Sequence, residues 1–192
     1  MSLEIRSLEL EEVLEIRPVR IGDNRGFFSE TWNAQRFSDA GLNLHFVQDN
    51  HSYSAARGVL RGLHYQLPPY AQDKLVRVVR GAIFDVAVDI RPDSPTFGKW
   101  CAARISAADW NQLLVPKGFA HGFLTLEPET EVIYKVTNHY SPSHDRAIRF
   151  DDADIGIVWP IHHSQLELSE KDRNAPPLAL AEVFTPSREA GR

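Results

Sequence analysis

Residues 58 to 68 read GVLRGLHYQLP, and two of them could do chemistry. A permanent cation, Arg61, and a base that titrates near neutrality, His64, stand three apart in an apolar, strand-like run. Lys74 opens the next apolar run, Asp85 interrupts the one after, His121 follows VPKGFA, and Tyr134 and Lys135 lie inside VIYKV. Upstream, FVQDNHSYS sets Gln48, Asn50 and Ser52 at every second position. An imidazole, a phenol and an ammonium together suffice for one kind of reaction: taking a proton from beside a carbonyl, stabilising the enolate, and returning a proton. Arginine adds the planar fork that grips phosphate oxygens. Singly, each residue has a plainer reading. His64 could be structural, Arg61 a surface cation, Lys74 an edge charge against aggregation, and Tyr134 a core residue with its hydroxyl on the rim.

The elements that must position these residues are short strands. KLVRVVRG (74–81) and AIFDVAVDIR (82–91) alternate, with Gly81 marking a tight turn between them. In the second run Phe84, Val86, Val88 and Ile90 share one face, and Asp85, Ala87 and Asp89 fall on the other, polar one. WCAARIS, NQLLVP, AHGFLTLE, TEVIYKVTNHY and AIRFDD add further strands. NAQRFSDAG (33–41) predicts a short helix ending at Gly41, and SAADW (106–110) one helical turn. Seven or more short strands at this spacing predict an all-β sandwich, jelly roll or barrel. Inward-pointing polar groups would make its interior a binding cavity. Residues three apart on a regular strand face opposite ways. A β-bulge at Gly62 would turn Arg61 and His64 to the same face, so both could line that cavity.

Length and composition set the frame. At 192 residues the chain predicts one domain, 1–192, with an extended N-terminal segment and a proline-containing C-terminal tail, NAPPLALAEVF. A net charge of −5 argues against a nucleic-acid coat. The single cysteine, Cys101 in KWCAARI, reads as a small core hydrophobe. The acidic opening lacks the apolar centre of a signal peptide, and no run approaches the roughly 18 uncharged apolar residues of a membrane helix, so a cytoplasmic protein without membrane contact is expected. A metal on histidines two apart is the rival site in a small barrel, but Gln66 or Gly62 stands where the second ligand would be. No metal is expected. His51 and His139 read as surface residues, and the pair His162–His163 as loop residues without a role.

The segments DNRGFFSETW, FVQDNHSYS, GVLRGLHYQ, QDKLVRVVRGAIFDVAVDIRPDSPTFGKW, LLVPKGFAHGFLTL, VIYKVTNHYSP, IRFDDADIGIVWP and LSEKD occur in an order that resembles the dTDP-4-dehydrorhamnose 3,5-epimerases. The resemblance runs from about residue 19 to 178 and implies an all-β, cupin-type jelly roll (a double-stranded β-helix) with a few short helices. It implies His64 as base, Asp172 of SEKD as its orienting partner, Tyr134 as acid and Lys74 at the enolate oxygen. It assigns Arg25, Glu30, Gln48, Asn50, Arg61, His121, Asp145 and Lys171 to the sugar, diphosphate and nucleoside, and Tyr140 to a stack on thymine. Some of these contacts would cross a homodimer. Family members often carry Glu where this chain has Asp145, one methylene shorter. Ser169 and Asp172 also fit a helix-capping pair. The implied reaction inverts C3, C5 or both in a dTDP-4-keto-6-deoxy sugar, with no cofactor. A metal-dependent cupin enzyme and a non-catalytic sugar-nucleotide-binding cupin are the alternatives.

Overall fold

The computed structural model of the chain describes residues 3–184. Two antiparallel sheets face each other. One has six strands: β1 (Glu4–Ser7), β2 (Leu14–Arg17), β10 (Gln112–Val115), β7 (Lys74–Arg80), β12 (Thr130–Val136) and β5 (Gln48–Ser54), in that spatial order. The other has five: β13 (Asp145–Ala147), β6 (Leu60–Gln66), β11 (Phe119–Thr125), β8 (Ala82–Asp89) and β9 (Trp100–Ser106). A separate hairpin joins β3 (Arg20–Asp23) to β4 (Gly26–Ser29). Two short helices, α1 (Ala34–Asp39) and α2 (Glu170–Arg173), complete the regular elements together with two single 3-10 turns. The N-terminal segment is thus not a loose extension, because β1 and β2 complete the six-stranded sheet through β10.

Strand alternation builds the interior. Val76 and Val78 of β7, Ile83 and Ala87 of β8, Cys101 and Ile105 of β9, Leu113 of β10, Phe119 of β11 and Val132 of β12 form the core between the sheets. Burial pushes the Cys101 thiol up to about 12, as suits a core residue. The opposite face of β8, with Val86 and Val88, packs under a second core. That core includes Ile148, Phe150, Trp159, Leu178 and Phe184 of the C-terminal segment. Both faces of β8 are buried, and Asp85 looks into the sandwich, as expected of an inward-pointing polar group. Leu75 and Leu114 meet Phe37 of α1 in a third core, on the outer face of the six-stranded sheet. Helix α1 begins at Asn33, whose side chain accepts from the Arg36 amide at 3.1 Å, and ends just before Gly41. SAADW forms only a turn, closed by a 3.2 Å bond from the Trp110 amide to the Ser106 carbonyl. Of AIRFDD only the first residue joins a strand, as the end of β13.

Two glycines are required by backbone geometry. Gly81 makes the turn between β7 and β8 alone, at φ +79°, with the Thr130 side chain where a Cβ would stand. Gly62 lies in β6 at φ +131°, and a Cβ there would sit 2.5 Å from the Gly122 Cα of β11. The β6–β11 register shifts at this point: His121 pairs with His64, but Phe123 pairs with Arg61. Two steps along β11 thus match three along β6, which is a bulge of one residue.

The C-terminal segment folds back over the five-stranded sheet. Glu167 pairs in parallel with Val59, and its amide reaches the Gly58 carbonyl at 2.9 Å. The Tyr65 hydroxyl donates to the Glu182 carbonyl at 2.7 Å, which ties the proline-containing tail to β6. The last residues, 185–192, lie outside the described range.

Candidate active site

A cavity of about 480 Å³ lies between the sheets. Ser52 of β5, Arg61 and His64 of β6, Lys74 of β7, His121 and Phe123 of β11 and Tyr134 of β12 point into it. The C-terminal segment closes one side with Glu167, Leu168, Ser169 and Asp172. The bulge at Gly62 thus does what the odd spacing requires: Arg61 and His64 line one cavity.

Two histidine–carboxylate pairs dominate the site. His64 Nε2 lies 2.5 Å from Asp172 Oδ1. Asp172 is only 3 % exposed, yet its carboxyl stays below the usual range. Burial works against ionisation, and the bonds from His64 and Ser169, with the Gly62 amide, more than offset it. A carboxylate at Nε2 fixes the proton on that nitrogen and leaves the His64 Nδ1 lone pair free to accept one. The second pair joins His121 Nε2 to Asp85 Oδ1 at 2.6 Å, both side chains buried. Burial pushes His121 below its ordinary value despite Asp85, so this imidazole stays neutral and polar at neutral pH.

Lys74 and Tyr134 complete the set. Lys74 Nζ donates to the His64 carbonyl at 3.3 Å, which leaves two of its three protons for another acceptor. Burial brings its pKa down to about 8, with Asp145 and Asp85 pulling the other way. Burial pushes the Tyr134 phenol up, so it holds its proton at neutral pH. Arg61 reaches the Tyr53 carbonyl at 3.1 Å and the Ser54 hydroxyl at 3.4 Å, and it lines the cavity.

The remaining sequence candidates lie elsewhere. Gln48 and Asn50 share the inward-turned face of β5 and bond each other at 2.8 Å. The Gln48 Oε1 accepts from the Tyr140 amide at 3.2 Å. Tyr140 donates to Asp145 Oδ2 at 3.2 Å, and Lys171 pairs with the same oxygen, so Tyr140, Asp145 and Lys171 form their own cluster. Arg25, at the tip of the β3–β4 hairpin, pairs with Asp23 at 2.5 Å and is 85 % exposed. Glu30 holds Arg36 at 3.1 Å near α1. Neither Arg25 nor Glu30 reaches the cavity of its own chain. Sequence reasoning missed Asp85 as a partner for His121, although an aspartate in an apolar strand was the visible sign. It also missed Phe123, Glu167 and Leu168 in the cavity wall, which carry no local signal. His51 sits on the surface against Glu131, as expected of it.

A model of the family described as dTDP-4-dehydrorhamnose 3,5-epimerase matches residues 7–180. The chain belongs to this epimerase family. A dTDP-4-dehydrorhamnose 3,5-epimerase of Sinorhizobium fredii is 52% identical over 173 residues, 90% of this chain and 88% of that protein. One from Shigella flexneri is 50% identical over 183 residues, 95% of this chain and 99% of its own. The crystal structure of a dTDP-6-deoxy-D-glucose-3,5-epimerase from Legionella pneumophila, in complex with dTDP-4-keto-L-rhamnose, superposes with a TM-score of 0.88. It is 44% identical and covers 93% of this chain and 94% of that one. As a dTDP-4-dehydrorhamnose 3,5-epimerase family member the chain is an isomerase with the cupin-like jelly roll of its relatives. No helix among the described residues is long and apolar enough to cross a membrane.

Proposed function

We propose that this chain inverts C3 and C5 of dTDP-4-keto-6-deoxyglucose through an enolate, with His64 as base, Tyr134 as acid and Lys74 at the C4 oxygen. The observation that carries the reading is the meeting of these three side chains from two facing sheets in one cavity. The C4 ketone acidifies the hydrogens on C3 and C5. His64 Nδ1, freed by the bond from Nε2 to Asp172, takes one of them. Negative charge moves to the C4 oxygen, where the Lys74 ammonium and the neutral His121 dipole can meet it. Tyr134, from the opposite sheet, returns a proton to the other face, which inverts the carbon. Arg61, at the cavity wall, suits a diphosphate oxygen. The family match disfavours the metal-dependent reading.

The same reading makes the enzyme a cytoplasmic homodimer working as one domain per chain. Support comes from the β3–β4 hairpin, which stands outside both sheets with Phe27 and Phe28 exposed, Phe28 at 68 %. A second copy covering those rings would place Arg25 and Glu30 near its own cavity, where the substrate's nucleotide end needs partners. Tyr140 would stack on the thymine, and Gln48, Asn50, Asp145 and Lys171 would hold the nucleoside and sugar.

Substrate incubated in heavy water tests the mechanism. Wild-type enzyme should place deuterium at C3 and C5 of inverted product, and absence of exchange at both carbons would overturn the reading. Tyr134→Phe keeps the ring and its packing but removes the donated proton. This variant should retain wash-in of deuterium without inversion, because His64 can still return a proton or deuteron to the face it came from. Near wild-type inversion by Tyr134→Phe would make Tyr134 part of the wall only.

The Lys74 environment adds a pH dependence. The ammonium is the active form, and with its pKa near 8 it loses its proton as pH rises past that value. kcat/KM should therefore fall on the alkaline side of about pH 8. The phenol, pushed higher, is still protonated there. Bound diphosphate adds negative charge, so the corresponding limb in kcat should lie at higher pH. A flat kcat/KM between pH 7 and 10 would contradict this.

A further inference from the structure

We infer that Ser169 is a positioning residue for the reaction: its hydroxyl holds the Asp172 carboxylate in the orientation and charge state that make His64 a base. The inference rests on the assignment of His64 as base.

The geometry is a closed chain. Ser169 Oγ donates to Asp172 Oδ2 at 2.8 Å, and the same hydroxyl accepts from the Asp172 amide at 3.1 Å. The other carboxylate oxygen, Oδ1, faces His64 Nε2. One serine therefore sets both the backbone and the side chain of the residue that sets the imidazole. Ser169 is the N-cap of α2, a helix of only four residues that packs against β6. Such a helix has little stability of its own. Its cap decides whether Asp172 sits at the third position with its carboxylate turned inward. Besides the imidazole itself, the hydroxyl is the only side-chain donor bonded to this carboxylate among the described residues. The Gly62 amide, brought close by the bulge, adds a weaker contribution.

A serine at an N-cap could instead be purely structural, and two variants separate the roles. Asp is as good an N-cap as Ser, but it has no proton to give to a second carboxylate. Thr keeps the cap and the donor. Ser169→Asp keeps the cap, so it should stay folded at the assay temperature and lose more in kcat than in dTDP affinity. Its kcat should fall by about tenfold or more, the scale of one lost hydrogen bond to a charged group. Ser169→Thr should restore kcat to within about twofold of wild type. The pH profile gives a second readout. Without the donor, and with a new negative charge beside it, Asp172 holds the imidazole proton more tightly. The acidic limb of kcat/KM should then move to higher pH in Ser169→Asp and not in Ser169→Thr. The other groups facing His64 are unchanged in both: Arg61 on its own strand, Lys74 from β7, His121 from β11 and Tyr134 from β12.

Wild-type kcat and pH profile in Ser169→Asp would overturn the inference. So would losses in Ser169→Asp that track a fallen thermal midpoint and are not rescued by Ser169→Thr. His64→Asn, assayed alongside, keeps this failure distinct from failure of the base assignment. If His64→Asn exchanges C3 and C5 hydrogens at the wild-type rate, the base assignment fails. If it is inactive while Ser169→Asp is normal, only the role of Ser169 fails.

Discussion

His64→Asn lowers turnover by about 10²- to 10⁴-fold, the usual scale for losing a general base. The argument runs from the dyad outward. Asp172 is buried and already ionised, and its Oδ1 is directed at His64 Nε2. Asparagine is shorter than imidazole, has no lone pair basic enough to take a carbon acid's proton, and leaves Oδ1 short of a donor. An unpaired buried oxygen costs about 1–3 kcal/mol, so a modest fall in stability should accompany the loss of rate. The two effects separate by measurement: dTDP binding and the thermal midpoint report the fold, and deuterium wash-in at C3 and C5 reports the base. Wild-type exchange by folded His64→Asn would remove His64 from the role.

Lys74→Met should cost about 10²- to 10³-fold in kcat, with far less effect on dTDP affinity. Methionine matches the length and apolar stem of lysine, so packing beside Val76 and Tyr134 is largely kept. What is lost is a charge that counts only when the C4 oxygen becomes an oxyanion. Burial already disfavours the ammonium, since its pKa is down to about 8. Removing it thus relieves a cost in the resting enzyme, and Lys74→Met should be no less stable than wild type near neutral pH. The sign follows from the direction of the shift. A lysine depressed by burial destabilises the fold below its folded pKa and ceases to do so as pH rises toward the unfolded value. If dTDP affinity collapsed while kcat held, Lys74 would be a phosphate ligand instead.

How much of this was legible in the sequence depended on the range of the interaction. The bulge was legible because Arg61, Gly62 and His64 are neighbours and the conflict with alternation is local. The short helix ending at Gly41 and the turn at Gly81 were legible for the same reason. Asp85 was visible as an anomaly, but its partner His121 lies on a different strand, and nothing in either run names the other. Alternation told the two faces of β8 apart but not what covers them: the six-stranded sheet covers the Asp85 side, and the docked C-terminal segment makes the Phe84 side a core. Its contact with β6, through Val59 and Glu167, joins residues that no local pattern relates. The place of Asp172 at His64, and the assignment of Asp145 and Lys171 to the substrate, came from family resemblance. Arg25 and Glu30 came the same way, and they lie apart from the cavity of their own chain.

The extra residue in β6 has a consequence for how this strand can change over evolutionary time. A regular strand reading Arg-x-His would already turn both side chains to one face. Deleting the codon for Gly62 would leave Leu60, Arg61, Leu63, His64 and Tyr65 on the faces they now occupy. The alternation that builds the two cores would survive, so that alternation does not require the extra residue. What the deletion would remove is the added reach between the arginine and the histidine, together with the amide that lies beside Asp172. Length at this one position is therefore answerable to chemistry rather than to packing. Most strand positions work the other way: in β8, a single inserted or deleted residue would exchange Asp85 and Ala87 for Val86 and Val88 across two buried faces.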